Sequence, residues 1–162
     1  VIVLLCDMLK GVVAVALARF AAGFVGAEGM QADLLIMGSV FVVIAGHIYS
    51  PWLGFKGGKG IATGFGSLLV ASPVIALCIA LVFIVFAVAT RIVSVGSIAA
   101  AVSVTVWCVV FHWGSIPFAV FGVLTSAMVV FAHRANIGRL VRGEEPKFAL
   151  GKSPKESEEC NE

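Results

Sequence analysis

The residues with the clearest chemical potential lie at positions 54–60, between two apolar stretches. This segment contains four glycines and two lysines, and Ile61 then begins another apolar run. Backbone N–H groups in such a loop can converge on an anion, and the start of a following helix adds partial positive charge. The segment therefore predicts a phosphate site. Its predicted ligands are the two lysines and three glycine amides: Lys56, Lys59, Gly57, Gly58 and Gly60.

A Walker-type P-loop is the nearest competing motif, and it does not fit. Its lysine is followed by Ser or Thr, whereas Lys59 is followed by Gly60, and its first glycine falls on Leu53. A plain basic turn at a membrane surface stays open as the alternative, although a turn does not need four glycines.

A second polar cluster begins where the last apolar run ends. His133 and Asn136 are three residues apart, so they face one side if the helix continues. Both side chains can hydrogen-bond a phosphorylated polyol. Arg134 and Arg139 can do the same or can pair with lipid head groups, and Glu145 can orient a nearby lysine or arginine.

The remaining polar residues of the apolar runs favour structural roles. Asp7 and Lys10 have the i, i+3 spacing of an ion pair within a helix, which we favour over a substrate role. His112 beside Trp113 is typical of the outer membrane interface. The cysteines lack the spacing of a metal or disulfide framework, and those in apolar runs are expected to be small buried hydrophobes. They are Cys6, Cys78, Cys108 and, outside those runs, Cys160.

The composition indicates that membrane helices position both clusters. Of 162 residues, 60% are hydrophobic and 12% charged, the net charge is +2 and the mean hydropathy is +1.10. So few charged residues cannot cover a water-soluble domain of this size. We predict an all-α, polytopic helix bundle. Its apolar runs are Val1–Ala22, Leu34–Tyr49, Ile61–Ser72, Pro73–Thr90, Ile92–Phe111 and Ile116–Ala132.

The distribution of charge predicts the number of crossings. The loop at 23–33 has two acidic and no basic residues, whereas basic residues follow the second, fourth and sixth runs. Positive residues collect on the cytoplasmic side, so the short run Ile61–Ser72 must cross as well, tilted or in thin membrane. We predict six crossings, with both polar clusters at the cytoplasmic face. Residues 1–147 form one domain, and 148–162 are expected to be a disordered cytoplasmic tail.

Both clusters resemble motifs of the acyl-phosphate:glycerol-3-phosphate acyltransferase family of bacterial inner membranes (the PlsY type). The family pattern GHxFPxxLGFKGGKGxAT is similar to residues 46–63, and HRxNIxRLxxGxExK is similar to residues 133–147. Asp7 to Gly11 resembles the DxLKG stretch of the family's second membrane helix. Ser50-Pro51 departs from the pattern by moving the proline one residue. The family's first motif, SGNxGATNxxR, should precede Val1, so we expect a chain that is truncated at its N-terminus.

This resemblance implies transfer of a fatty acyl group from acyl-phosphate to the 1-hydroxyl of glycerol 3-phosphate, giving lysophosphatidic acid for phospholipid synthesis. It implies catalytic roles for Lys59, His133 and Asn136. It also implies substrate contacts by the loop and by His47, Thr63, Arg134, Arg139 and Glu145. The expected partners are the two substrates and membrane lipid. No metal, cofactor, nucleic acid or obligate protein partner is expected.

Two other function classes stay open on the residues alone. A transporter of organic phosphates also uses glycines and lysines at helix ends, although its site usually lies at the bilayer midplane. A non-catalytic scaffold that binds anionic lipid is the second. The HxxxxD pair of the other large acyltransferase class does not occur after any of the three histidines. The proton acceptor is either His133 or a substrate phosphate oxygen.

Overall fold

The predicted all-α architecture is confirmed by the computed structural model, which describes residues 2–148. These residues form seven helices and a single 3-10 turn at Pro51–Leu53. The helices are α1 (Ile2–Phe24), α2 (Met30–Ile48), α3 (Ile61–Ala71), α4 (Pro73–Thr90), α5 (Val93–Phe111), α6 (Ile116–Ala132) and α7 (Arg134–Val141). Val1, the predicted tail beyond Phe148 and Cys160 lie outside the described residues.

The outer surface of the bundle is apolar, as a lipid-facing surface must be. Leu77 and Leu81 of α4, for example, are more than 60% exposed. By length and hydropathy α2, α4 and α5 are each able to span a membrane. Helices α6 and α7, which are bent by 58° from each other, add a fourth span if the pair is counted as one. Helix α1 has 23 residues but carries three charged side chains, and α3 has only 11 residues. The count of six crossings therefore stays a prediction.

Contacts between helix ends separate the bundle into two rims. Asp33 accepts a hydrogen bond from Ser115 (2.6 Å), and His112 lies 3.1 Å from the Ser72 hydroxyl. These residues define the opposite rim. The loop after α2 and the α6–α7 break lie at the other end, which we call the site rim. Helix α3 runs from Gly60 at the site rim to Ser72 at the opposite rim, as the charge argument requires.

A short helix leaves unpaired carbonyl groups at its end, and polar side chains from α1 and α5 meet the end of α3. Arg19 donates to the Val70 carbonyl (2.9 Å), and His112 contacts Ser72. Because an unpaired backbone group inside lipid is costly, these contacts stabilise a helix too short for an average bilayer. His112 thus packs into the bundle, stacked on Phe118, in addition to lying at the predicted end of α5.

The closest helix contact is between α1 and α3, where one glycine of each helix lies against the backbone of the other helix. A Cβ on Gly66 would overlap the Met8 carbonyl, and a Cβ on Gly11 would overlap the Thr63 carbonyl. Small residues allow this approach, and close packing substitutes for a hydrophobic driving force in lipid. The contact sets α3, and with it the Gly60 end of the loop, directly against α1.

The expectation that the cysteines of the apolar runs are buried is right for Cys108 alone. Cys78 is half-buried and Cys6 is exposed; all three are free thiols. The prediction is wrong for Cys6 because lipid, unlike water, imposes little penalty on an outward-facing apolar side chain.

Replacing Gly66 with Val should separate α1 from α3. Overpacking of this kind costs about 1–3 kcal/mol or more, so the variant should unfold at a lower temperature than the wild type in detergent. Gly23→Val is the matched control, because a Cβ on Gly23 has no neighbour within 4 Å. Unfolding is monitored by circular dichroism. Equal melting temperatures for the two variants would contradict the close packing of α1 against α3.

Candidate active site

The glycine-rich loop is shaped by its contact with the His47 side chain at the end of α2. A Cβ on Gly57 would overlap the His47 carbonyl, and a Cβ on Gly58 would overlap the His47 ring. The Gly57 amide also donates to the Ile48 carbonyl at 3.0 Å. These two glycines are therefore required by close approaches, of Gly57 to backbone and of Gly58 to a side chain, whatever the loop binds.

The loop delivers Gly60 to the N-terminus of α3. Gly60 has φ 83°, a left-handed conformation that favours glycine, and no side chain caps the helix. The first N–H groups of a helix have no intrahelical acceptor, so those at Ile61 and beyond point toward the space beside Lys59. A helix end of this kind attracts an anion. Among the described residues Lys59 forms no ion pair, so its ammonium group is available to the same anion.

Asp7, Lys10 and His47 form a polar cluster beneath the loop. The predicted Asp7–Lys10 ion pair is confirmed, with Oδ1 and Nζ 2.7 Å apart. His47 Nδ1 lies 3.6 Å from the same carboxylate and contacts Lys10 Nζ. An ammonium group only donates, so Nδ1 accepts and Nε2, which faces Gly58, carries the proton. The cluster thus fixes the orientation of the ring on which the loop rests.

His133 lies at a bend of 58° between α6 and α7 and is 1% exposed. Its Nδ1 is 2.8 Å from the Val129 carbonyl. A carbonyl only accepts, so Nδ1 carries a proton and Nε2 of the neutral ring is left with its lone pair. Helix α6 ends at this residue and α7 begins from it, because the Ile137 amide donates to the His133 carbonyl at 2.9 Å. His133 and Asn136 are thus one helical turn apart, and both are buried.

Asn136 and Arg139 of α7 share one acceptor, the carboxylate of Glu145. Asn136 Nδ2 donates to Oε1 at 2.5 Å, and Arg139 Nε donates to Oε2 at 2.7 Å. Ser94 approaches the same carboxylate without completing a hydrogen bond of normal geometry. The Asn136 hydrogen bond, followed by Ser94 and Arg139, lowers the pKa of Glu145 to about 2. Glu145 is therefore ionised at every pH above about 4 and orients the arginine as expected.

A cavity of about 820 Å³ between the helices joins the glycine-rich loop, the cluster of Asp7 and His47, and His133. Its end at the site rim is polar and the rest of its lining is largely apolar. The polar end is formed by Asp7, His47, Lys59 and His133, with Gly58 and Gly60. The structure therefore brings the loop and the histidine of the α6–α7 break to one cavity at one rim.

Seven predicted site residues do not line the cavity. Three of them are the hydrogen-bonded group of Asn136, Arg139 and Glu145. Lys56 is exposed and does not line it. Arg134 lies over the Phe131 ring (4.7 Å) and donates to the Phe131 carbonyl, on an exposed face. Thr63 is fully buried and its hydroxyl forms no hydrogen bond among the described residues. Gly57 contacts His47 and is likewise not a lining residue.

Sequence reasoning missed two polar residues near the site. Asp7 lines the cavity, although only an ion pair was favoured for it. Its match to the DxLKG stretch, together with its place on the first helix, was the available signal. Ser94 lies beside Glu145, and its sequence position within an apolar run gave no signal.

Comparison with known proteins places these features in a family. The sequence profile of the glycerol-3-phosphate acyltransferases matches residues 1–143. The chain is 40% identical over 152 residues to a glycerol-3-phosphate acyltransferase of Desulforamulus reducens, covering 94% of this chain and 72% of that protein. It is 41% identical over 146 residues to one of Gloeobacter violaceus, covering 90% and 69%.

Two crystal structures of PlsY, an integral membrane glycerol 3-phosphate acyltransferase, have similar folds. The glycerol 3-phosphate form aligns with a TM-score of 0.75 and the lysophosphatidic acid form with 0.74, each at 31% identity. Both alignments cover 91% of this chain, and 70% and 71% of the respective crystal chains. With its apolar helix bundle, its two matching motifs at one rim and these similarities, the chain belongs to the glycerol-3-phosphate acyltransferase family of integral membrane proteins.

Proposed function

We propose that this protein transfers a fatty acyl group from acyl-phosphate to the 1-hydroxyl of glycerol 3-phosphate, forming lysophosphatidic acid for phospholipid biosynthesis. The observation that carries the proposal is the cavity itself. Lys59 and the free end of α3 lie at its polar end together with His133, and its depth is apolar. Such a cavity suits an amphipathic donor with a phosphate at one end and an alkyl chain at the other.

The reaction is an exchange of oxygen substituents on the acyl carbon. The glycerol hydroxyl attacks the carbonyl of the mixed anhydride, the new ester C–O bond forms, and the bond to the phosphate oxygen breaks. Inorganic phosphate leaves with the electron pair of that bond. Lys59 and the first amides of α3 would stabilise the charge on the leaving phosphate, as preorganised donors do in acyl transfer.

The hydroxyl proton has two candidate acceptors in this arrangement. His133 Nε2 has a lone pair at the polar end of the cavity, because Nδ1 donates to Val129. A phosphate oxygen of either substrate is the other. Asn136 and Arg139, held by Glu145, would position glycerol 3-phosphate, so that orientation of the acceptor supplies much of the acceleration.

The position of the polar groups argues against a transporter. A transporter usually holds its substrate near the bilayer midplane, whereas Lys59 and His133 lie at the site rim.

We further propose that the site rim faces the cytoplasm of a bacterial inner membrane. The basic residues of α7 and the glycine-rich loop gather at this rim, as the positive-inside rule requires.

Changing Lys59 to Ala should lower the turnover number for acyl transfer by about a hundredfold or more, because removal of one charge-stabilising donor has effects of this size. The measurement is release of lysophosphatidic acid by the purified chain supplied with acyl-phosphate and labelled glycerol 3-phosphate. Near-normal turnover by Lys59→Ala would overturn the proposal.

Arg142→Ala is the control for loss of a positive charge at the same rim. Arg142 is exposed and pairs with Glu144 at 2.7 Å, away from the cavity. This variant should keep close to the wild-type rate, since exposed ion pairs contribute about 0–1 kcal/mol to stability.

Changing Glu145 to Gln should lower kcat/KM for glycerol 3-phosphate, by about tenfold to a hundredfold, through misplacement of Arg139 and Asn136. The neighbouring Glu144→Gln removes an equal charge from the exposed Arg142 pair and should have little effect. Steady-state kinetics against both substrates separates the two variants. A similar loss in both, or in neither, would contradict the positioning role.

The titration of Glu145 adds a pH test. Its pKa is lowered to about 2 from 4.5, so its contribution to folding is present above about pH 4.5 and is lost as the pH falls toward 2. The fall in melting temperature on acidification over this range should be smaller in Glu145→Gln than in the wild type. An equal fall in the two proteins would contradict the ionised pairing.

A further inference from the structure

The cavity has a closed end whose residues are positioned to limit the length of the acyl chain. On each of four helices, the lining residue farthest from the site rim is buried. These residues are Leu68 of α3, Ile79 of α4, Val104 of α5 and Thr125 of α6, which are 2%, 7%, 5% and 4% exposed. A chain that enters from the polar end therefore meets packed side chains at this depth.

The wall between α5 and α6 near this end is held by side-chain hydrogen bonds. Ser126 donates to the Ala101 carbonyl at 2.5 Å, and Thr105 donates to Ser126 at 2.9 Å. Thr105 also contacts the Gly122 carbonyl at 3.3 Å. These bonds cross the helix interface, so the helices resist the separation that a longer chain would need.

Thr125 forms the end of the passage on α6. Its side chain is buried, and its hydroxyl oxygen is inaccessible and forms no hydrogen bond among the described residues. The limit that Thr125 sets on chain length is therefore steric.

The length of the cavity corresponds to a definite number of alkyl carbons. Positions 125 to 133 of the α6 segment rise by about 12 Å, and positions 93 to 104 of α5 by about 16 Å. An extended alkyl chain with C–C bonds of about 1.5 Å advances about 1.3 Å per carbon. About nine to thirteen carbons therefore fill the straight part of the cavity, and a longer chain must bend.

We propose that Ala100 and Thr125 determine acyl-chain length in this protein: the small side chain of Ala100 leaves the passage open, and Thr125 ends it. This inference rests on the proposed function only in taking the ligand to be an acyl group that carries a phosphate. Ala100 is buried and lines the cavity between Ser97 and Val104 on α5. A large side chain there would block the passage above its end.

The test measures binding without turnover. Acyl phosphonates, in which carbon replaces the bridging oxygen so that no transfer occurs, are titrated into the detergent-solubilised chain. The readout is the ratio of the affinities for the palmitoyl and octanoyl forms. Ala100→Phe should lower this ratio by about tenfold, a size consistent with overpacking by one large side chain. Ala99→Phe is the matched control, because Ala99 is the neighbouring alanine and does not line the cavity.

Thr125→Ala gives a second test that lengthens the passage. Removing the end of this side chain should raise the palmitoyl-to-octanoyl ratio by about fourfold, since about one more methylene group of the longer chain is then buried. This variant decides the question if Ala100→Phe does not fold. A ratio unchanged from the wild type in the folded variants would overturn the proposal, as would failure of the wild type to bind either phosphonate.

Addition of glycerol 3-phosphate and true acyl-phosphates separates this inference from the proposed function. Length-dependent phosphonate binding without lysophosphatidic acid formation would refute the reaction and leave the length limit intact. Acyl transfer with identical chain-length profiles in the wild type, Ala100→Phe and Ala99→Phe would refute the length limit and leave the reaction intact.

Discussion

The arrangement of the site depends on the contact of His47 with the glycine-rich loop: its carbonyl lies against Gly57 and its ring against Gly58. The ring is oriented from below by Asp7 and Lys10, and the loop rests on it where a side chain would not fit. Lys59 follows within one residue, and α3 begins two residues later. A solvent-accessible ion pair contributes little to stability. The Asp7–Lys10 pair is of this kind and acts through geometry, because it orients the ring on which the loop before Lys59 rests.

The second half of the site returns to the same rim because four helices separate Gly60 from His133. An even number of crossings brings the chain back to its starting side, so α3 must run from rim to rim even though it has 11 residues. Arg19 and His112 satisfy polar groups at the far end of α3, and Gly11 and Gly66 allow it to pack against α1. The same contacts that stabilise the short α3 therefore also bring the two motifs to one rim.

The sequence predicted the helices well because hydropathy and charge suffice to locate helices in lipid. Apolar runs gave bounds within a few residues for α3 to α6, and the parity of basic loops gave the side on which the motifs meet. It did not predict the bend at His133, since no proline or glycine marks it. Nor did it predict that Arg134 lies on Phe131, because adjacent residues of a helix face different directions and only the packing selects which one is buried.

The glycines of the loop show how a motif can carry two requirements at once. Phosphate binding explains glycine by the exposed amides, whereas the structure explains Gly57 and Gly58 by their contact with His47. Both explanations concern the placement of Lys59, which follows these glycines in the loop. Lys10 and Arg139 are paired with carboxylates and serve to orient neighbours, while Lys59 has no such partner among residues 2–148. Its side chain is exposed at the polar end of the cavity, where an incoming anion can reach the ammonium group. The paired cations Lys10 and Arg139 fix the geometry, and Lys59 is left for the phosphate.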